Sequence, residues 1–275
     1  MKLSVTHRTV YRYDEPQAFV LQSHRLIPTA FEGQRIEHWA VTVPDGIEGS
    51  RFRDGAGDMT GLVRVRGPVD EVVVEIAGVV ETTDLSGVLR GHREKVPPQV
   101  YLQSTRSTRI DLGLGDLAAA SAEGVAEGDV LARAHALSHA VAEAIAYVPG
   151  ATGADTTAAE ALALGQGVCQ DHAHALIAAA RSAGIPARYV AGYLFAGADT
   201  EDGPGSEASH AWAELFVGGL GWVGFDPSNG CCPDERYIRL CSGADAFDAA
   251  PIRGLASGAG EEMLDVAVAV QSVQQ

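Results

Sequence analysis

The sequence predicts an α+β protein in two parts: an all-β, sandwich-like module over residues 1–100, then an α+β core with an antiparallel sheet over residues 101–275. Three observations carry that reading. The first hundred residues hold β-branched runs bounded by Gly, Pro and Asp; from about residue 116 the chain becomes alanine-rich and helix-forming; beyond Pro186 strand-like segments return around a glycine turn. At 275 residues the chain exceeds one average domain of roughly 150 residues, and its 46% hydrophobic content is ample for a buried core.

In the first strand, Leu3, Val5, Thr9, Tyr11 and Tyr13 alternate with Lys2, Ser4, Thr6, Arg8 and Arg12, the period of a half-buried strand. RIEHWAVTVP, GLVRVRG and DEVVVEIAGVVETT continue the β pattern. The opening segment MKLSVTHRTVYRY has no long apolar run and reads as neither signal peptide nor membrane span, so a cytoplasmic protein is expected. Four cysteines are too few for a disulfide framework, and reduced thiols are expected. The formal net charge of -16 argues against nucleic acid as a partner, because phosphate binding needs a basic footprint.

In the second part, Leu137, Val141 and Ile145 recur at helical spacing until Pro149-Gly150 stops the run, which leaves His135, His139 and Glu143 on a solvated stripe. Thr157 and Glu160 form a capping-box signature for a short helix over 157–164, closed by Gly165. Ala173, Leu176, Ile177 and Ala180 then mark an amphipathic helix from about 169 to 183, with Gly184 at its end and Pro186 beyond. ARYVAGYLF, HAWAELFV and GWVGFDP read as strands, the last two joined by Gly218-Gly219-Leu220-Gly221.

Cys169 opens the amphipathic helix, where unpaired backbone N–H groups and the helix dipole favour a thiolate. Its alternatives are a buried hydrophobe or a metal ligand. No C-x-x-C or H-E-x-x-H pattern supports a metal, and His172 and His174 are about 200° apart on a helix, so no metal site is expected. A nucleophilic cysteine needs a base. Pairing the hairpin symmetrically about Gly218 sets His210 opposite Asp226, on one face, where the carboxylate could orient the imidazole; a cross-strand polar pair is the plainer alternative. Trp212 and Trp222 share the parity of that pair and are candidates to shield it. The acidic loop 198–209 is a candidate rim, and Cys231, Cys232 and Cys241 read as structural thiols.

GVCQDHAHALIAAARSAGIPARYVAGYL, HAWAELFVGGLGWVGFDPSNG and YIRLCSGADAFDAAPIRG resemble the bacterial transglutaminase-like proteins, a family often described as cysteine proteases, and VYRYDEPQAFVLQSHRLIPT resembles their amino-terminal domain. The resemblance implies a papain-like or transglutaminase-like core and a Cys–His–Asp triad at Cys169, His210 and Asp226. It departs from the family at His172, where an aromatic residue is commoner, and in CSGADAFDAAP.

On this reading the protein is a cysteine acyl-transfer enzyme acting on a peptide or protein amide, with no cofactor and no membrane partner. The Cys169 N–H, with Gln166 as a weaker side-chain candidate, would stabilise the oxyanion. Hydrolysis, transfer to an amine and acetyl transfer share the first half of this chemistry, and a non-catalytic binding module is the alternative from another class.

Overall fold

The computed structural model describes residues 1–197 and 208–273. The first sheet is built on two unusually long strands, β1 (Lys2–His24) and β4 (Met59–Thr82), paired antiparallel along most of their length. Between them in sequence lie β2 (Gln34–Thr42) and β3 (Gly46–Arg53), which pair with opposite halves of β4. Register shifts between Arg12 and Phe19 interrupt the central pairing, as β-bulges do, and divide the sheet into two halves. GLVRVRG and DEVVVEIAGVVETT are thus parts of one strand.

A connector from Thr83 to Asp111, with a 3-10 turn at Pro98–Leu102, leads into the second region. There follow α1 (Leu112–Ala120), α2 (Val130–Ala144), β5 (Ala146–Tyr147), α3 (Ala158–Leu164), β6 (Gln166–Gly167) and α4 (Cys169–Ser182). The second sheet comprises β7 (Ala187–Leu194), β8 (Ser209–Val217), β9 (Gly221–Phe225) and β10 (Tyr237–Gly243), antiparallel in the order β10-β7-β8-β9. The connector covers the outer edge of β9: Val88 bridges Val223, Leu89 donates its N–H to Trp222 (2.9 Å), and Gly87 accepts from Gly224 (2.8 Å).

The last two strands, β11 (Ile252–Ala256) and β12 (Glu262–Ser272), pair with β1. A division that assigns everything after residue 100 to the core therefore misplaces residues 252–272, which complete the first sheet. The open edge of β1 is a ladder of unpaired backbone groups, and the chain's end satisfies it.

α4 differs from an amphipathic surface helix. Every residue from Asp171 to Arg181 is buried, because α1, α2 and α3 pack around it while β7 and β8 lie against its apolar side. Leu176 and Ile177 join Ala213, Leu215 and Phe225 in the main core. Its buried arginine is satisfied internally: Arg181 donates to the carbonyls of Tyr101, Ala187 and Ala244 and to the Thr108 hydroxyl.

A buried ionic cluster joins the two sheets. Glu214 on β8 bonds both Arg188 (2.7 Å) and Arg239 (2.8 Å), and Arg239 reaches back to Asp58 (2.9 Å) and Thr29 (2.7 Å) of the first region. Arg188 also pairs with Glu94 of the connector (2.5 Å). Trp222 belongs here, with its ring 4.0 Å from the Arg188 guanidinium and its indole N–H on Glu94, so it does not border His210 as hairpin parity suggests.

Candidate active site

Local sequence explains how Cys169 is presented. α3 is capped by Thr157 with Glu160 in reciprocal hydrogen bonds and ends at Gly165, whose φ of 68° suits glycine. The chain then turns through β6 into α4, and Asp171 accepts the Val168 N–H (2.8 Å), which defines the first turn. Gly167 is required by this turn: a Cβ there would lie 2.7 Å from the Asp171 Cβ. Cys169 is the first helical residue and is half-buried.

His210 sits near the start of β8, opposite Gly192 of β7, and is 8% exposed. The β8–β9 hairpin is centred on Gly219 rather than Gly218, so Val217 faces Gly221 and Ala213 faces Phe225. This moves the partner register by two positions and preserves parity. Asp226 is consequently diagonal to His210 on the same face, and its Oδ2 accepts from His210 Nε2 at 2.6 Å. Nε2 being engaged, Nδ1 is the ring atom left for the thiol.

Asp226 is fully buried and accepts six hydrogen bonds. The Ser228 N–H (3.0 Å), Ser228 hydroxyl (2.5 Å) and Asn229 N–H (3.3 Å) converge on Oδ1; His210, the Asn229 amide (2.7 Å) and the Tyr237 hydroxyl (2.8 Å) converge on Oδ2. Burial alone would favour the neutral acid, but the bonds from His210, Asn229 and Ser228 prevail and bring the carboxyl down to about 2. Burial likewise works against charge on His210, and its hydrogen bonds to Asp226 and Cys169 outweigh that penalty and raise the imidazole above its ordinary value. The imidazole and the carboxylate thus form a buried, charge-assisted pair, on which the Cys169 thiol also acts.

Trp212 stacks beside His210 (centroids 6.4 Å apart, planes at 26°), and Tyr237 meets both rings edge-on. Gly192 allows this, because a Cβ there would be 2.6 Å from the Trp212 ring and 2.2 Å from the Ile238 carbonyl. Ser228, Asn229 and Tyr237 were not among the residues singled out from sequence. The first two carry a signal in DPSNG, a string that favours an Asx turn; Tyr237 carries none, because its contact depends on how β10 folds back.

Gln166 is exposed on β6. His172 and His174 are both buried; the ring nitrogens of His172 face the carbonyls of Val168 (2.9 Å) and Ile145 (2.8 Å). His135, His139 and Glu143 are exposed, while Leu137, Val141 and Ile145 are buried. Burial pushes the thiols of Cys231, Cys232 and Cys241 up, Cys232 to about 11 and Cys241 to about 12. Among the described residues no His/Cys/Asp/Glu group is arranged to hold a metal, and no helix is long and apolar enough to cross a membrane. Residues 198–207 of the acidic loop lie outside the described residues.

A helix that presents a cysteine to a His–Asp pair on an antiparallel sheet is a papain-like arrangement. Comparison with known families narrows this: residues 119–227 match the transglutaminase-like superfamily, and residues 3–81 match the bacterial transglutaminase-like N-terminal region. The chain belongs to this family. An uncharacterised protein of Mycobacterium leprae (strain TN) is 31% identical over 98% of both chains, and one of Mycobacterium bovis is 29% identical over 97% of this chain and 91% of its own. A solved structure from Cytophaga hutchinsonii, classed provisionally as a cysteine protease, shares the fold with a TM-score of 0.74 at 21% identity, covering 100% of this chain and 91% of that one.

Proposed function

We propose that the protein is a cysteine-dependent acyl-transfer enzyme that hydrolyses a peptide or isopeptide bond, with Cys169 as nucleophile, His210 as base and acid, and Asp226 as the group that orients the imidazole. The observation that supports this reading is the buried His210 Nε2–Asp226 Oδ2 hydrogen bond (2.6 Å), with the carboxylate held by five further bonds and the Cys169 thiol at the start of α4 among the groups that act on the imidazole. Nδ1 of His210 takes the thiol proton, and the thiolate attacks the acyl carbon. The tetrahedral oxyanion is stabilised by the N–H of Cys169 at the head of α4. His210 then protonates the leaving amine, leaving a thioester on Cys169. A water molecule, deprotonated by His210, releases the acid. Throughout, Asp226 stays ionised and balances the imidazolium, since its six donors make it a poor base.

Capture of the same thioester by an amine would make the enzyme a transferase, and adding an amine acceptor separates the two outcomes. The test is to incubate the full chain with activated peptide esters and peptide amides and to weigh the intact protein. An acyl adduct on Cys169, discharged by hydroxylamine and absent from Cys169→Ala, supports the reading. Neither adduct nor turnover across the panel refutes it.

A further inference from the structure

α4 carries two buried polar atoms with no protein partner, three residues apart: Asp171 Oδ1 and His174 Nδ1. Asp171 is fully buried and His174 is 1% exposed, so bulk water reaches neither. Their chemistry is complementary. His174 Nε2 accepts the Ala246 N–H (3.0 Å), which in a neutral ring leaves the proton on Nδ1 as a donor. Burial keeps the ring neutral by pushing it down to about 4. Asp171 Oδ2 is taken by the Val168 N–H and the Thr152 hydroxyl (2.5 Å), which leaves Oδ1 as an acceptor.

A spacing of three places both side chains on one side of the helix, and after burial the charges of Asp245 and then Asp171 act on His174. Tyr189 of β7 walls the locale, its ring 5.2 Å from that of His174 and its phenol under the influence of both Asp171 and Cys169. A buried donor and a buried acceptor left without partners cost more than ordering one water that joins them. Polar buried sites of this kind hold conserved internal waters as a rule.

We infer that a single internal water is bound here, accepting from His174 Nδ1–H and donating to Asp171 Oδ1. The site stands apart from the proposed chemistry and does not depend on it. Its consequence is positional: Asp171 defines the turn that opens with Cys169, and the water completes the hydrogen bonding of that carboxylate. It would account for a buried histidine at position 174, where its own helix face would otherwise accept an apolar side chain.

A crystal structure of the full wild-type chain, at a resolution that orders internal solvent, tests this directly. The expected result is one water peak within about 2.6–3.2 Å of both atoms. A direct Asp171–His174 hydrogen bond, a dry locale, or density that refines as a metal ion would overturn the inference. In His174→Phe the peak should vanish while the bonds from Val168 and Thr152 to Asp171 persist. A peak retained at the same place in that variant would show that His174 is not the donor. If the variant fails to fold, the wild-type map decides alone.

Discussion

Asp226→Asn is the substitution from which the proposed triad has most to lose. Three donors converge on Oδ1 from Ser228 and Asn229, so the amide oxygen of an asparagine would keep that position and its NH2 would take the place of Oδ2. There it would face the donors now held by Oδ2, including the His210 ring nitrogen. The least costly response is a change of tautomer: Nε2 becomes the acceptor, and the ring proton moves to Nδ1, where it confronts Cys169 and prevents the imidazole from taking the thiol proton. Losing a hydrogen bond to a charged group costs about 1.5–3 kcal/mol, which corresponds to a roughly 10- to 100-fold smaller population of the thiolate–imidazolium pair. In turnover the loss should approach the ~10⁴-fold typical of this substitution in a Ser-His-Asp triad. Intact-mass measurement of Cys169 alkylation gives the first quantity without a substrate. The rate at pH 6 should fall by at least about tenfold, and near pH 10 it should return toward wild type as the thiol ionises unaided. Equal rates at pH 6 would show that Asp226 does not set the state of His210.

Acid should destabilise the fold in two stages. His7, His24 and His174 are pushed down by burial to about 4, whereas in the unfolded chain they titrate near 6.5, so the unfolded state binds more protons in between and each contributes up to ~1.4 kcal/mol of lost stability per pH unit as pH falls through that window. His210 is raised and protonated in both states there, so it adds no slope; its own stabilisation is lost above about pH 6.5 instead. Asp226 and Glu214, each brought down to about 2, add a further loss below about pH 4. A melting temperature that stays flat from pH 7 to pH 4 would contradict this. Asp58→Ala strips Arg239, Thr29 and the Ser242 N–H of a shared partner and should cost about 3–5 kcal/mol in urea denaturation; a loss below about 1 kcal/mol would mean that the cluster does not join the two sheets. Gly192→Ala must displace Trp212 or the Ile238 carbonyl, so it should lower both the melting temperature and the low-pH alkylation of Cys169; wild-type values for both would show that the close packing is dispensable.

What could be read from the sequence was mostly local. The Thr157–Glu160 box and Gly165 act within eight residues, and the glycine-flanked start of α4 identifies Cys169 without reference to the rest of the chain. The His210–Asp226 pair was legible through parity, which survived a hairpin centred one residue later than symmetry suggests. Contacts closed by the three-dimensional path were not legible. Asp58 meets Arg239 across 181 positions, β12 returns to β1 at the other end of the chain, and Tyr237 reaches Asp226 only because β10 pairs with β7. The burial of α4 on all sides was hidden for a related reason. Its polar residues look like a solvated face until their internal partners are known, and Arg181 finds three carbonyls and a hydroxyl supplied by four separate segments.

The central claim is that Cys169 and His210 form an activated pair, and brief treatment with substoichiometric iodoacetamide across pH 5 to 9, read by intact mass on the wild type, Cys169→Ala and His210→Ala, tests it most directly. The account predicts selective labelling of Cys169 at the acid end of the range, abolished in Cys169→Ala and shifted to alkaline pH in His210→Ala. Labelling only above about pH 8, unchanged by His210→Ala and shared equally with Cys231 and Cys232, would identify an ordinary thiol and contradict the proposed function.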